Sequence, residues 1–343
     1  MRIKKQVLCG NIAIGGSSPI SIQSMTNTDT RDIAKTIEQI NRLEELGCDI
    51  VRIAMVDMEA AESVSQIKKH TKIPLVADIH FDYRLALKCA KNGIDKIRIN
   101  PGNIGSMDKV TAVANACRER SIPIRIGVNG GSLEKDTCGT NAEAMVQSTL
   151  KHIKILNDCN FDDIVLSLKA SDIRTTVEAY CLIHERVDYP LHLGITEAGT
   201  LKSGIIKSSI GIGSMLLNGI GNTIRVSLTA NPEEEVKAGI TILKSLGLRK
   251  SGVEIISCPT CGRSMVNLID IANILEERLS RIDKPLKVAV MGCAVNGPGE
   301  AKHADIGIAG GKGEFLLFKH GEAIRKIPEK SAIQELICEI EKM

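Results

Sequence analysis

The sequence predicts an α/β fold, an N-terminal (β/α)8 TIM barrel followed by a small α+β domain. Up to about residue 248, eight short β-branched runs alternate with longer helical patterns, the mark of βα units built around a parallel sheet. An open doubly wound sheet alternates in the same way, but no early Gly-rich fingerprint marks a dinucleotide crossover. After Lys250 the pattern changes to two cysteine-bearing turns set among further strands and helices.

The strand-like runs are ISIQSM (20–25), IVRIAM (50–55), PLVADIH (74–80), KIRIN (96–100), PIRIGVN (123–129), DIVLSLKA (163–170), LHLGITE (191–197) and NTIRVSLT (222–229). Between the first two, RDIAKTIEQINRLEELGCD sets Ile33, Ile37, Ile40 and Leu43 near one helical face and stops at Gly47. DKVTAVANACRERS and NAEAMVQSTLKHIKILNDCN repeat that pattern. NPEEEVKAGITILKSLG offers Asn231 as N-cap with Pro232 at the first helical position. The expected domains are therefore 1–248, the barrel, and 249–343. In the second, VEIIS and LKVAVMGC read as strands entering the cysteine turns, and SMVNLIDIANILEERLSRI as an amphipathic helix. ADIGIAGG and GEFLLFKHG read as further strands, and KSAIQELICEIEKM as a closing helix.

Composition narrows the function classes. The three Tyr, four Phe and absent Trp argue against a nucleic-acid surface that stacks bases on rings. A net charge of +3 in 343 residues is too small for nucleic-acid or membrane binding by bulk electrostatics. No run approaches the roughly 18–20 apolar residues that span a bilayer, and the basic N-terminus lacks the apolar core of a signal peptide. The expected compartment is the cytoplasm, where eleven cysteines are not expected to pair as disulfides. Cys48, Cys89, Cys117, Cys159, Cys181 and Cys338 fall in helical stretches or near helix ends and read as buried, inert thiols.

Functional side chains of a barrel come from the carboxyl ends of its strands. Those ends carry Arg52, Asp78, His80, Arg98, Asn100, Arg125, Asn129, Ser167, Lys169, Glu197, Arg225 and Ser227. Five cations recurring at equivalent points of separate strands converge on one mouth. Guanidinium forks match phosphate oxygens, so the expected ligand carries two phosphates or one diphosphate.

The second domain offers Cys258 and Cys261 in SCPTCGR, and Cys293 in MGCAVNGPGE. Three thiolates from two turns suit either an iron–sulfur cluster or a structural zinc site. The turn Gly297-Pro298-Gly299 brings Glu300 back towards Cys293. Glu300 is then either a hard oxygen ligand beside three soft ones or a solvated turn residue. On the zinc branch the alternative is a phosphate-binding TIM-barrel transferase of the pterin-synthase kind, with a structural zinc clip.

SCPTCGR and MGCAVNGPGE, together with SIQSMTNTDTRD near the start and TEAGT between them, resemble the 4-hydroxy-3-methylbut-2-enyl diphosphate synthase family in its short, two-domain bacterial form. The resemblance runs from about residue 5 to the C-terminus. It implies reductive ring opening and dehydration of 2-C-methyl-D-erythritol 2,4-cyclodiphosphate in the non-mevalonate isoprenoid pathway, an oxidoreductase reaction. A [4Fe–4S] cluster on Cys258, Cys261, Cys293 and Glu300 would take single electrons from ferredoxin or flavodoxin. By the same resemblance, Arg52, Arg98, Asn100, Arg125, Asn129, Lys169, Arg225 and Ser227 surround the cyclic diphosphate. Ser167 joins them by its strand-end position. Asp78 and His80 line the pocket, with His80 counted beside Glu197 and Glu300 as catalytic. Glu197 is the implied acid–base residue, and Asn296 lies near the substrate. A homodimer is implied, with the cluster domain of one subunit capping the barrel of the other.

Overall fold

A computed structural model describes residues 4–132, 139–250, 252–279, 282, 284–293, 299 and 301–343. The chain divides after Arg249 into two compact units.

In the first unit, β1 (Val7–Cys9) and β2 (Ile12–Ile14) form a hairpin whose turn begins at Gly10, with φ +57°. The barrel follows as β3 (Ser21–Met25), β4 (Ile50–Ala54), β5 (Leu75–Asp78), β6 (Lys96–Ile99), β7 (Ile124–Asn129), β8 (Ile164–Lys169), β9 (His192–Leu193) and β10 (Thr223–Ile224). All pair in parallel in the order β8-β7-β6-β5-β4-β3-β10-β9. A parallel bridge between Leu166 and Leu191 closes the ring. The last two strands are shorter than their sequence runs. Gly194 ends the first of them, where a Cβ would meet Lys169 Nζ at 2.5 Å and the Arg225 carbonyl oxygen at 2.6 Å.

Nine helices are described around the barrel: α1 (Ile33–Glu45), α2 (Met58–His70), α3 (Tyr83–Lys91), the short α4 (Pro101–Ile104), α5 (Met107–Glu119), α6 (Asn141–Asp158), α7 (Ile173–Arg186), α8 (Leu201–Leu217) and α9 (Pro232–Ser245). Their starts follow local chemistry. Asp32 caps α1 by accepting from Lys35 N at 3.2 Å, and Thr140 with Glu143 makes a capping box on α6. Asn231 precedes α9 as expected, without a side-chain cap bond. The core between helices and strands is built from Ile, Leu, Val, Ala and Met, with Cys48, Cys89, Cys117 and Cys159 buried in it. Cys181 is only half-buried and Cys338 is exposed, contrary to the sequence expectation. Both lie on the outward side of helices that turn their larger apolar residues inward. The hairpin packs Cys9 and Ile14 against Ile50 and Val76, covering the amino-terminal end of the barrel.

Each interior layer of such a barrel draws on alternate strands, so the strand register sets the layers. Arg52, Arg98, Ser167 and Arg225 share one. Below it lie Gln23, Val76, Arg125 and His192, then Ile50, Lys96, Val165 and Thr223. Asn100, Lys169 and Ser227 stand above, towards the carboxyl ends.

The second unit is a five-stranded sheet in the order β11 (Glu254–Ser257), β12 (Lys287–Met291), β13 (Ile306–Gly310), β14 (Glu314–Lys319) and β15 (Glu322–Pro328). The first three strands are parallel and the last two antiparallel. β15 has no counterpart in the sequence reading; its EAIRKIP is almost wholly exposed and lacks the apolar alternation that marks a half-buried strand. Helices α10 (Leu268–Leu279) and α11 (Ala332–Lys342) bury Leu275, Leu279, Leu336 and Ile340 against Val288, Val290 and Ile308. No described helix is long and apolar enough to cross a membrane.

Candidate functional site

The barrel's carboxyl end gathers the charges that the strand ends promised. Arg98 Nη1 lies 3.3 Å from Asp78 Oδ1, and Arg52 Nε 3.8 Å from Asp78 Oδ2. His80 Nε2 reaches the same carboxylate at 3.4 Å, while its ring stays more than half exposed. Burial works to raise the Asp78 carboxyl, but Arg52, His80, Arg98 and Arg125 outweigh it and hold it well below the usual carboxylate range.

On the other side of the mouth Arg225 turns to Glu235, at 3.4 Å from Nε to Oε2 and 3.5 Å from Nη2 to Oε1. Ser24 Oγ and the Leu228 N–H also donate to Glu235, each at 3.0 Å. Sequence reasoning missed Glu235. It sits in the first turn of α9 within NPEEE, where acids serve any helix N-terminus and nothing separates the third glutamate from its neighbours.

Asp78 and Glu235 are the only buried acids among the described residues. Against them stand Arg52, Arg98, Arg125, Lys169 and Arg225. Burial, with the other cations near, pulls the Arg52 guanidinium down to about 9 and lowers Arg125 and Lys169 well below their ordinary values. Cations held so far from water and so close together favour a multiply charged anion.

The other predicted barrel residues lie at or near the carboxyl ends of their strands. Ser167 is buried two residues below Lys169 on β8, and Asn129 stands opposite Lys169 in the β7–β8 register. Asn100 is already employed, capping α4 by accepting from Gly102 N at 3.1 Å. Ser227 is half-buried beyond β10. Glu197 is exposed at the carboxyl side of β9 with φ +53°, a left-handed conformation that non-glycine residues seldom adopt and that clusters at functional sites. Two glycines, which carry no chemistry to flag them in the sequence, make room for the cations. A Cβ at Gly127 would fall 2.5 Å from Arg98 Nε, and the Gly194 contact with Lys169 is as close.

In the second unit Ser257 pairs with Val290, so Cys258 and Cys293 leave the same carboxyl edge of the sheet. The Gly292 N–H donates to Cys258 Sγ at 3.2 Å. The Cys261 turn closes through Ser264 N to the Cys261 carbonyl at 3.0 Å, and Met265 N donates to the Gly292 carbonyl at 3.0 Å. Gly310 presses against the same edge, where a Cβ would come 2.8 Å from the Gly292 oxygen. Cys261 is exposed and Cys258 and Cys293 are half-buried, unlike the thiols of the barrel core. In kind these donors suit an iron–sulfur group, soft accessible thiols with a backbone N–H aimed at one sulfur, although the three thiols do not converge as metal ligands. No three His, Cys, Asp or Glu side chains among the described residues gather closely enough to hold a metal. Asn296 and Glu300 lie outside the described residues.

The profile of the GcpE TIM-barrel domain matches residues 4–240, and that of the GcpE protein C-terminal domain matches residues 254–342. A protein of Ruminiclostridium cellulolyticum named 4-hydroxy-3-methylbut-2-en-1-yl diphosphate synthase (flavodoxin) is 61% identical over 343 residues, covering 99% of this chain and 97% of that protein. Its namesake in Clostridium acetobutylicum is 60% identical, over 99% and 98% of the two chains. Among solved structures, dihydropteroate synthase from Yersinia pestis superposes with a TM-score of 0.53 at 12% identity, over 71% of this chain and 98% of that one. An N-acetylneuraminic acid synthetase from Leptospira borgpetersenii gives 0.51 at 13% identity, over 82% and 99%. These two likenesses concern the fold alone.

Proposed function

The chain belongs to the GcpE family, both of whose domains it matches in order, and from that membership we propose how its residues share out the family's reaction. The activity is that of a 4-hydroxy-3-methylbut-2-en-1-yl diphosphate synthase. It opens the ring of 2-C-methyl-D-erythritol 2,4-cyclodiphosphate, with the uptake of two electrons and the loss of water. The family's members are iron–sulfur enzymes.

The observation that carries the division of labour is the cationic mouth with its two buried acids. Asp78 fixes Arg98, and Glu235 fixes Arg225, so two guanidinium groups are aimed before a ligand arrives and little ordering is left to do on binding. With Arg52, Arg125 and Lys169 they bind the diphosphate and keep it through ring opening. Asn129, Ser167 and Ser227 add neutral donors, and Asn100 contributes from the start of α4. His80, tied to Asp78, orients groups at the rim. Glu197 holds the proton that converts the departing hydroxyl to water; its exposed carboxyl on a strained backbone supports that role.

Cys258, Cys261 and Cys293 hold a [4Fe–4S] cluster, with Glu300 as its oxygen ligand and Asn296 beside the substrate. When bound, the cluster supplies electrons one at a time and a Lewis-acidic iron. Flavodoxin, which appears in the names of the relatives, is the electron donor read from them, with ferredoxin as its chemical equivalent. The working unit is a homodimer in which one subunit's cluster domain, residues 249–343, caps the partner's substrate-binding barrel, residues 1–248. Full activity in an isolated monomer would refute that arrangement.

The deciding experiment is the iron, acid-labile sulfide and zinc content of anaerobically purified protein, together with turnover of the cyclic diphosphate by the reduced protein. Roughly four irons and four sulfides per chain, with a brown chromophore that bleaches on reduction, are expected. One zinc and no sulfide would remove the electron path.

A further inference from the structure

Beneath the mouth the barrel interior carries buried polar groups beside Val76, Ile50 and Val165. The two layers under Arg52 and Arg98 carry Gln23, Arg125 and His192, then Lys96 and Thr223, all buried. Both amide atoms of Gln23, Lys96 Nζ, Nε and Nη1 of Arg125, both ring nitrogens of His192 and Thr223 Oγ1 have no hydrogen-bond partner within the protein. No acid is buried at this depth. Asp78 and Glu235 are engaged above with Arg52, Arg98 and Arg225.

Buried polar groups are nearly always satisfied, so a cluster of this size calls for an occupant. Its chemistry follows from the donors. The Lys96 ammonium has three N–H groups and no acceptor, and Arg125 adds two further nitrogens. Burial beside Arg125, Lys169 and Lys96 keeps His192 neutral, leaving one donor and one acceptor. The Gln23 amide and the Thr223 hydroxyl can each turn a donor inward. Donors outnumber acceptors, and among the described residues no acid stands in ion-pair contact with Lys96 or Arg125, on which Asp95 and Asp78 act only from a distance.

We propose that the barrel interior beneath the mouth binds a small monovalent anion of halide size, held by Lys96, Arg125 and Thr223 with Gln23 and His192 completing its shell. The site lies beneath the diphosphate site, shares Arg125 with it, and does not depend on which substrate the mouth takes. Its occupant balances the deep positive charge and fixes Arg125 from below, leaving the upper cations to the substrate.

The test is anomalous diffraction at the bromine edge from crystals of the holoenzyme grown in bromide, for the wild type and Lys96→Met. A bromide peak against Lys96 Nζ in the wild type, lost in the variant, is expected. Peaks confined to Arg52, Arg98 and Arg225, or density beneath the mouth without an anomalous signal, would overturn the proposal in favour of ordered water. The wild type alone gives a second reading. Chloride should raise its melting temperature over gluconate at equal ionic strength, saturably, and identical melts would count against the site.

Discussion

Arg98 runs between Asp78 and the bare Cα of Gly127: its Nη1 lies 3.3 Å from Asp78 Oδ1, and a Cβ on residue 127 would fall 2.5 Å from its Nε. The guanidinium therefore has one path to the mouth, and residue 127 keeps it open. Gly127→Ala should displace Arg98 without disturbing the apolar core. The expected result is a KM for the cyclic diphosphate raised about tenfold, equivalent to about 1.4 kcal/mol, at near-constant melting temperature. Unchanged KM would mean that Arg98 does not bind the substrate.

Glu235 joins β3, the segment after β10 and α9 through Ser24, Arg225 and Leu228. Glu235→Ala leaves Arg225 without its buried partner, a change that costs about 3 kcal/mol and lowers the barrel's melting temperature by roughly 8 °C. Calorimetry measures it directly, and a loss below about 1 kcal/mol would show that the bonds are idle.

Asp78 gives the barrel a pH signature. Its carboxyl is depressed in the folded state, so it binds fewer protons there than in the unfolded chain. Its contribution to stability is complete above about pH 4, the unfolded value, and is lost as pH falls further. Asp78→Asn should be less stable than the wild type at pH 7, with the difference shrinking as pH falls from about 4 to about 3. Denaturant titrations across that range check this, and a constant difference would refute the assignment.

Glu197 combines a strained backbone with the proposed proton. Glu197→Gly should gain about 1 kcal/mol by relieving the left-handed conformation while losing turnover by roughly a hundredfold or more. Glu197→Gln should lose turnover without the gain in stability. If Glu197→Gln retains full turnover, the proton comes from elsewhere.

Thiol chemistry separates the cysteines into classes. Burial pushes the thiols of Cys48, Cys89 and Cys117 up to about 12, so they should resist alkylation in the native protein. Among the described cysteines, exposed Cys338 should label first in the holoprotein and half-buried Cys181 more slowly. Cys258, Cys261 and Cys293 should label only after the iron is stripped. Mass spectrometry of timed iodoacetamide reactions reads this out, and equal labelling before and after stripping would deny them a metal.

The barrel and its mouth were legible in the sequence because an arginine inside a β-branched run is unusual, and a row of them at matching strand ends is informative. The cysteine turns were legible as two motifs following strand-like runs, and those strands are parallel neighbours. Glu235 was not, since one acid among three at a helix start carries no mark. Lys96, Gln23 and His192 escaped because a polar residue in a strand reads as solvent-facing unless both faces of the sheet are known to be covered. The hairpin of β1 and β2 lay in VLCGNIAI, where a Gly-Asn turn joins two three-residue strands too short to register as a pattern.

That hairpin has a kinetic consequence. With Cys9 and Ile14 seated on Ile50 and Val76, the barrel is a cup with one rim. Whatever enters must leave by the way it came, so substrate and product compete for the same doorway. A product that departs slowly then sets the pace of turnover, however fast the bond-breaking beneath it.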